Sequence, residues 1–356
     1  MKTIPLSPFL QRRNIVILLI LFQIFSCNKN DIIFINPHGN FGKDPGEFST
    51  KRTIAPLKIT YFSKSSVRAS VVINVDGIPV DVLFDTGSWG LRVLAGAIKG
   101  APIDTDSEWV SYPYSGGTNL YGKVAGANLS IANLRSSTPI KIMRIDSISA
   151  GSAKYHATGD STMVNNGLLH GFNGIVGVGL RVSSGSDGVA NPLPQLPGAG
   201  SFIVHFPKFN DTDGALILNP SEQDLKGFTF INLQPGTVLL PNGYNSWMDN
   251  QLKDTLSVGG VPYTSNVLLD SGNPVSFYYK NATSDTAKVS IGTLVKFSLG
   301  PPFAASTTFT VSEQQSGLDL VETSNYEVRN VFGIQFFFDF DVCYDQKNGR
   351  IGIRKK

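Results

Sequence analysis

Short apolar runs rich in Val, Ile, Phe and Tyr recur along this chain, each bounded by clusters of Gly, Asn, Ser and Pro. Runs of that length and composition predict strands rather than helices. Val71 to Val75, the pair Asp76-Gly77, and Ile78 to Phe84 predict a hairpin, because Asp-Gly suits the positive φ angles of a tight two-residue turn. Phe202 to Phe206, Asp213-Gly214 and Ala215 to Leu218 predict another. Trp247 is expected to open a strand, and Gly259-Gly260 to turn the chain before a run ending at Leu269. Residues 181–200 are dense in Ser, Gly and Pro and predict a surface loop. The pattern predicts an all-β protein, and 356 residues suit two domains of ordinary size.

Two of the apolar runs end in an acid. Val82-Leu83-Phe84 leads into Asp85-Thr86-Gly87-Ser88, and Val267-Leu268-Leu269 leads into Asp270-Ser271-Gly272-Asn273. A carboxylate at the end of a buried strand is costly unless donors hold it. A hydroxyl residue and a glycine follow each acid, offering a hydrogen bond and a tight backbone turn. The second acid stands 185 residues after the first (270 − 85), about the length of one domain.

Paired motifs of this kind resemble those of the pepsin-like aspartic peptidases, which carry one Asp-Thr/Ser-Gly in each of two lobes. Members of that family also have an apolar-apolar-Gly run downstream of each acid. Ile175-Val176-Gly177, within Phe172 to Gly179, is similar to the first, and Val331-Phe332-Gly333 to the second. Phe336-Phe337-Phe338, Val342 to Asp345 and Asn348 to Ile353 resemble the family's closing strands. The resemblance spans roughly residues 57–353, with the landmarks in the family's order. It implies an all-β, two-lobed pepsin-like fold with a cleft between an N-terminal lobe at 57–205 and a C-terminal lobe at 206–356. It further implies a catalytic pair, Asp85 and Asp270, supported by Thr86, Gly87 and Ser88 on one side and by Ser271, Gly272 and Asn273 on the other. The stretch Tyr112 to Gly122 would form the family's mobile flap, with Tyr114 as its tyrosine and Tyr121 as the alternative. The implied activity is hydrolysis of peptide or protein substrates by an activated water, with no metal and no cofactor.

Two positions depart from the family pattern. Asn273 stands where Thr or Ser is usual, and Arg92 where Trp usually touches the flap tyrosine. The run from Asp85 to Arg92 is similar instead to a group of uncharacterised bacterial secreted proteins of that fold. The competing function is therefore a catalytically inactive surface lipoprotein of the same fold that binds peptides or glycans.

Charge and composition narrow the partners. A formal net charge of +3 without a basic block argues against nucleic acid. The four histidines, His38, His156, His170 and His205, lack the spacing of a metal site and are expected to be surface or core residues. Asp211-Thr212-Asp213-Gly214 lacks the remainder of a calcium loop and predicts a turn. The sequence contains no Gly-rich phosphate loop, no Gly-x-Ser-x-Gly elbow and no His-Glu-x-x-His. Residues 1–26 read as a signal peptide: Lys2, Arg12 and Arg13 precede an apolar run, Ile15 to Phe25, too short to span a bilayer. The run stops at Ile24-Phe25-Ser26-Cys27, which is similar to a bacterial lipobox. Cys27 would then carry a lipid, residues 27–56 would form a flexible tether, and the chain would be anchored in the cell envelope, at the periplasm or outer membrane. The other cysteine, Cys343, lies in an apolar strand and is expected to be buried and inert, so no disulfide forms. A monomer is expected.

Overall fold

The structure is a computed structural model that describes residues 51–63, 66–101, 105–114, 117–150, 153–156, 169–182, 188–281, 287–300, 305–312, 318–321 and 329–356. The expected signal peptide, Cys27, residues 28–50 of the expected tether and His38 lie outside them, as do Ser115 and Gly116. Everything described belongs to one compact unit starting at Pro45.

The first half holds β1 (Thr53–Ser63), β2 (Ser66–Val75), β3 (Ile78–Asp85), β4 (Trp89–Leu94), β5 (Thr105–Pro113), β6 (Thr118–Ala127), β7 (Leu129–Ile131), β8 (Leu134–Arg135), β9 (Ile140–Ala150), β10 (Ala153–His156), β11 (Gly174–Val178), β12 (Ser201–His205) and β13 (Asp213–Leu218). The second half holds β14 (Thr229–Asn232), β15 (Pro235–Leu239), β16 (Asn245–Trp247), β17 (Leu252–Val258), β18 (Val261–Leu269), β19 (Ser276–Tyr279), β20 (Ala287–Lys288), β21 (Leu294–Leu299), β22 (Ala305–Thr310), β23 (Leu318–Val321) and β24 (Arg329–Phe332). A five-residue helix, α1 (Gln335–Asp339), then leads into β25 (Phe340–Asp345) and β26 (Arg350–Lys355). The all-β expectation holds, α1 being the single α-helix among the described residues.

Hydrogen bonding links sixteen strands into one sheet with the path β14-β26-β25-β12-β13-β1-β2-β3-β11-β4-β9-β6-β5, and eight into another with the path β20-β23-β19-β24-β18-β17-β21-β22. Burial explains the pairing. β1 and β17 alternate buried and exposed positions, as strands with one covered face do, whereas every residue of β11 and β25 is buried. The strand residues immediately before each acid are buried. β11 lies parallel to β3, with Gly177 opposite Asp85, and antiparallel to β4. β24 lies parallel to β18, with Phe332 opposite Leu269, and antiparallel to β19. Each acid-bearing loop is thus flanked by an apolar-apolar-Gly strand inserted between its two arms.

Both predicted hairpins form. Asp76 and Gly77 take φ of 47° and 87°, and β2 pairs with β3 through Val75↔Ile78. β12 pairs with β13. Three details differ from the sequence reading. The first strand opens at Thr53, inside the stretch 27–56 expected to be a flexible tether, because Pro56 does not break it. The Ile59 N–H reaches Thr212 O on the β13 side, so the nitrogen of Pro56 faces the opposite edge, beyond the end of the β2 pairing. Trp247 closes a strand instead of opening one, its indole N–H donating to Gln346 O at 2.7 Å. The Pro-rich stretch is interior: Val189, Ala190, Asn191, Leu193 and Pro194 are buried. Asn191 ties it down, its Nδ2 donating to Val178 O at 2.7 Å.

Candidate active site

The Asp85 and Asp270 loops meet through two kinds of contact. The first is a reciprocal set of hydrogen bonds between the residues after each acid. Thr86 Oγ1 donates to Leu269 O (2.8 Å) and accepts from the Ser271 N–H (2.9 Å). Ser271 Oγ donates to Phe84 O (3.0 Å) and accepts from the Thr86 N–H (3.1 Å). Both side chains are fully buried, so four backbone groups that water cannot reach are satisfied across the junction.

The second is the approach of each motif glycine to the opposite acid. A Cβ on Gly87 would lie 2.3 Å from the Asp270 carboxylate, and one on Gly272 would lie 2.6 Å from Asp85 Oδ1. No side chain fits at either position, which is why both are glycine. Each acid accepts the N–H two residues on: Gly87 to Asp85 Oδ1 at 2.7 Å, Gly272 to Asp270 Oδ1 at 3.0 Å. Burial first, then the charge of Asp85 and a hydrogen bond with it, hold the Asp270 carboxyl well above the usual carboxylate range; Arg181 and the Gly272 N–H pull the other way.

The two acids differ at the third residue. Ser88 Oγ donates to Asp85 Oδ2. Asn273 turns its Oδ1 to the Val275 N–H at 3.3 Å instead.

Tyr114 and both acids line one cavity of about 250 Å³, together with Arg68, His170, Asn273 and apolar residues such as Leu83 and Ile175. Tyr114 closes the β5–β6 hairpin, its N–H donating to Thr118 O at 2.7 Å. Its hydroxyl is buried beside Ser88 without reaching hydrogen-bonding geometry, and burial raises its pKa above that of an ordinary tyrosine. Tyr121, the alternative flap residue, lies on β6 opposite Ser147 and contacts Ser149. Arg92 is wholly buried, and its guanidinium lies 3.4 Å from the ring centre of Tyr112, which packs edge-on against both Trp89 and Tyr114. Tyr112 thus stands between Arg92 and Tyr114.

Four residues at or behind the site escaped the sequence reading. Arg181 donates to Gly87 O, pairs with Asp249 Oδ1 at 2.7 Å, and so props the Asp85 loop from behind. Asp249 Oδ2 also accepts the Leu180 N–H at 2.7 Å. Arg68 and His170 form part of the cavity wall, with Arg68 Nη2 2.9 Å from His170 Nε2. The only sequence signal for Arg68 is a charge inside the apolar run Val67 to Ile73, next to the hairpin that carries Asp85. Cys343 is fully buried in β25, and burial pushes its thiol up to about 12. Among the described residues, no group of three or more His, Cys, Asp or Glu could hold a metal, and no helix is long and apolar enough to cross a membrane.

Residues 75–193 match the model of a family described as a protein of unknown function, DUF3443. The match covers the Asp85 loop, the β5–β6 hairpin and β11, and ends before Asp270. No curated protein matches the chain.

Proposed function

We propose that the chain is a pepsin-like aspartic endopeptidase, two-lobed, with its cleft at the Asp85–Asp270 junction and a lipid on Cys27 anchoring it in the cell envelope. The observation that carries this reading is the mutual approach of the two motifs: each glycine makes room for the opposite acid, and Thr86 and Ser271 exchange hydrogen bonds. Two carboxylates so close cannot both be charged cheaply and share one proton, the aspartic-protease pair being the best-known case.

The surroundings suggest how the proton is divided. Asp85 receives the Gly87 N–H and the Ser88 hydroxyl, donors that favour an anion. Asp270 is held above the usual range and keeps the proton. Asp85 takes a proton from water as its oxygen attacks the peptide carbonyl carbon, while Asp270 gives its proton to the carbonyl oxygen. The resulting diol collapses: Asp85 delivers its proton to the amide nitrogen, the C–N bond breaks, and a hydroxyl proton returns to Asp270. Tyr114 covers the cavity and keeps bulk water from the reacting groups.

A second reading, an inactive protein that binds peptides or glycans in the same cavity, is favoured by one observation: Asn273 gives Asp270 no counterpart of Ser88. One experiment separates the two. A diverse peptide mixture is digested at several pH values and the products are read by mass spectrometry. Cleavage that is lost in both Asp85→Asn and Asp270→Asn supports the enzyme; no cleavage at any pH, with retained peptide binding, supports the second reading.

A further inference from the structure

Arg68 is an arginine that the dyad chemistry does not use. It is 7% exposed, on β2, and lines the cavity that holds both acids. Its guanidinium donates to Val67 O and to His170 Nε2, each at 2.9 Å, and among the described residues it forms no ion pair with a carboxylate. An arginine can only donate, so His170 Nε2 accepts and the ring proton sits on Nδ1. Burial, with the Arg68 charge adding to it, lowers His170 to about 4, so the ring is neutral above that pH. His170 holds φ of 52°, a left-handed conformation uncommon for non-glycine residues, in the turn with Gly171. The hydrogen bond to the His170 ring thus orients the guanidinium.

Held only by a carbonyl oxygen and a neutral imidazole, the buried guanidinium has no anion hydrogen-bonded to it. The carboxylates whose charge Arg68 feels are Asp270 and Asp85, and neither pairs with it. Sharing one proton, they leave the cavity one negative charge that would repel an anionic substrate; Arg68 offsets it. From this geometry we infer that Arg68, oriented by His170, is a specificity subsite that receives a substrate carboxylate next to the bond being cut. A guanidinium fork matches that group in shape and charge. The carboxylate comes either from an Asp or Glu side chain or from a free peptide C-terminus. The inference rests on the peptidase reading for its placement beside a scissile bond, though not for binding itself.

The test uses two pairs of fluorescent hexapeptides above about pH 5, where a peptide carboxylate is charged. One pair, amidated at the C-terminus, differs by Glu against Gln at positions flanking the cleaved bond. The other has a free or an amidated C-terminus. The wild type should favour the carboxylate member of one pair by about tenfold in kcat/KM, the size of one charge-assisted hydrogen bond. That pair identifies the source. The ratio should fall to about one in Arg68→Gln and recover in part in Arg68→Lys, which restores the charge without the fork. If the wild type cuts peptides with no preference in either pair, or if the preference survives Arg68→Gln, the inference is overturned; the wild-type ratios decide this even if Arg68→Gln does not fold. If nothing is cut, the peptidase reading falls and the same pairs are read by fluorescence anisotropy. A tenfold tighter Kd for one carboxylate member, lost in Arg68→Gln, then upholds the anion subsite, and equal Kd values overturn it.

Discussion

Asp85 leaves β3 beside the parallel strand β11 and returns as β4; Asp270 leaves β18 beside the parallel strand β24 and returns as β19. In both loops the acid accepts the N–H of its own glycine, and that glycine lies against the other acid. The halves part at the third residue, where Ser88 gives Asp85 a hydroxyl and Asn273 binds its own backbone. They also rest on different supports. A buried ion pair, Arg181–Asp249, braces the Asp85 loop through Gly87 O. Behind β24, the Nδ2 of Asn330 donates to Asp254 Oδ2 at 2.8 Å and its Oδ1 accepts the Tyr279 N–H at 2.7 Å. The lesson is chemical: one backbone plan, repeated, gives two carboxylates in reach of each other, and the residues that follow each acid give them unequal surroundings.

The largest expected effect comes from removing the brace that only one half possesses. Asp249→Ala leaves Arg181 charged and buried without its partner, which should cost about 3–5 kcal/mol of stability in urea unfolding. A loss well below 1 kcal/mol would mean that the Asp85 half does not depend on it.

The corresponding test of the other half is one of pH. Burial raises Asp254 to about 6, the Asn330 amide opposing it. A carboxyl whose folded pKa lies above its unfolded value of about 3.9 adds stability below that value and loses it as pH rises through the folded pKa. The fold should therefore weaken between about pH 4 and 6 by up to about 3 kcal/mol from this group, and Asp254→Asn should flatten that slope. Asp341 works in the opposite sense. Burial alone would raise it, but hydrogen bonds from His205 and Arg354 outweigh burial and hold it low, so its contribution is present at neutral pH and lost in strong acid. Stability measured against pH should peak in mild acid and fall on both sides.

The shared grip supplies a symmetric control. Thr86→Val and Ser271→Ala each orphan one buried N–H and one buried C=O of the facing loop, and each should cost about 2–3 kcal/mol. The smallest effect is expected where the halves differ most plainly. Asn273→Thr makes the second loop resemble the first, and should keep kcat/KM or raise it a few-fold, with little change in Tm. A large loss would show that the Asn273 turn to Val275 is required.

Much of this could be read from the chain because it depends on local pattern. The Asp76-Gly77 turn, the apolar strands into Asp85 and Asp270, and the apolar-apolar-Gly runs are each marked by a short apolar run next to a glycine or acid that the local backbone requires. Pairing across long separations was out of reach. Nothing near Arg181 signals Asp249, and nothing near Arg68 signals His170, because each pair is made by folding. The buried stretch around Asn191 carries the composition of a surface loop; contacts made by folding, among them the bonds of Asn191 to Val178 O and of Asn242 to Pro194 O, set it inside. Which way Asn273 points is decided by one backbone N–H within hydrogen-bond reach, a choice that residue identity leaves open.

The central claim, that Asp85 and Asp270 act as one unit, is tested most directly by a mutant cycle on one cleaved peptide. kcat/KM is measured for the wild type, Asp85→Asn, Asp270→Asn and the double variant, with circular dichroism confirming that each is folded. The account predicts that either single change costs at least about a thousandfold and that the double change costs almost nothing more. Costs that multiply, or a single variant that retains wild-type activity, would contradict it.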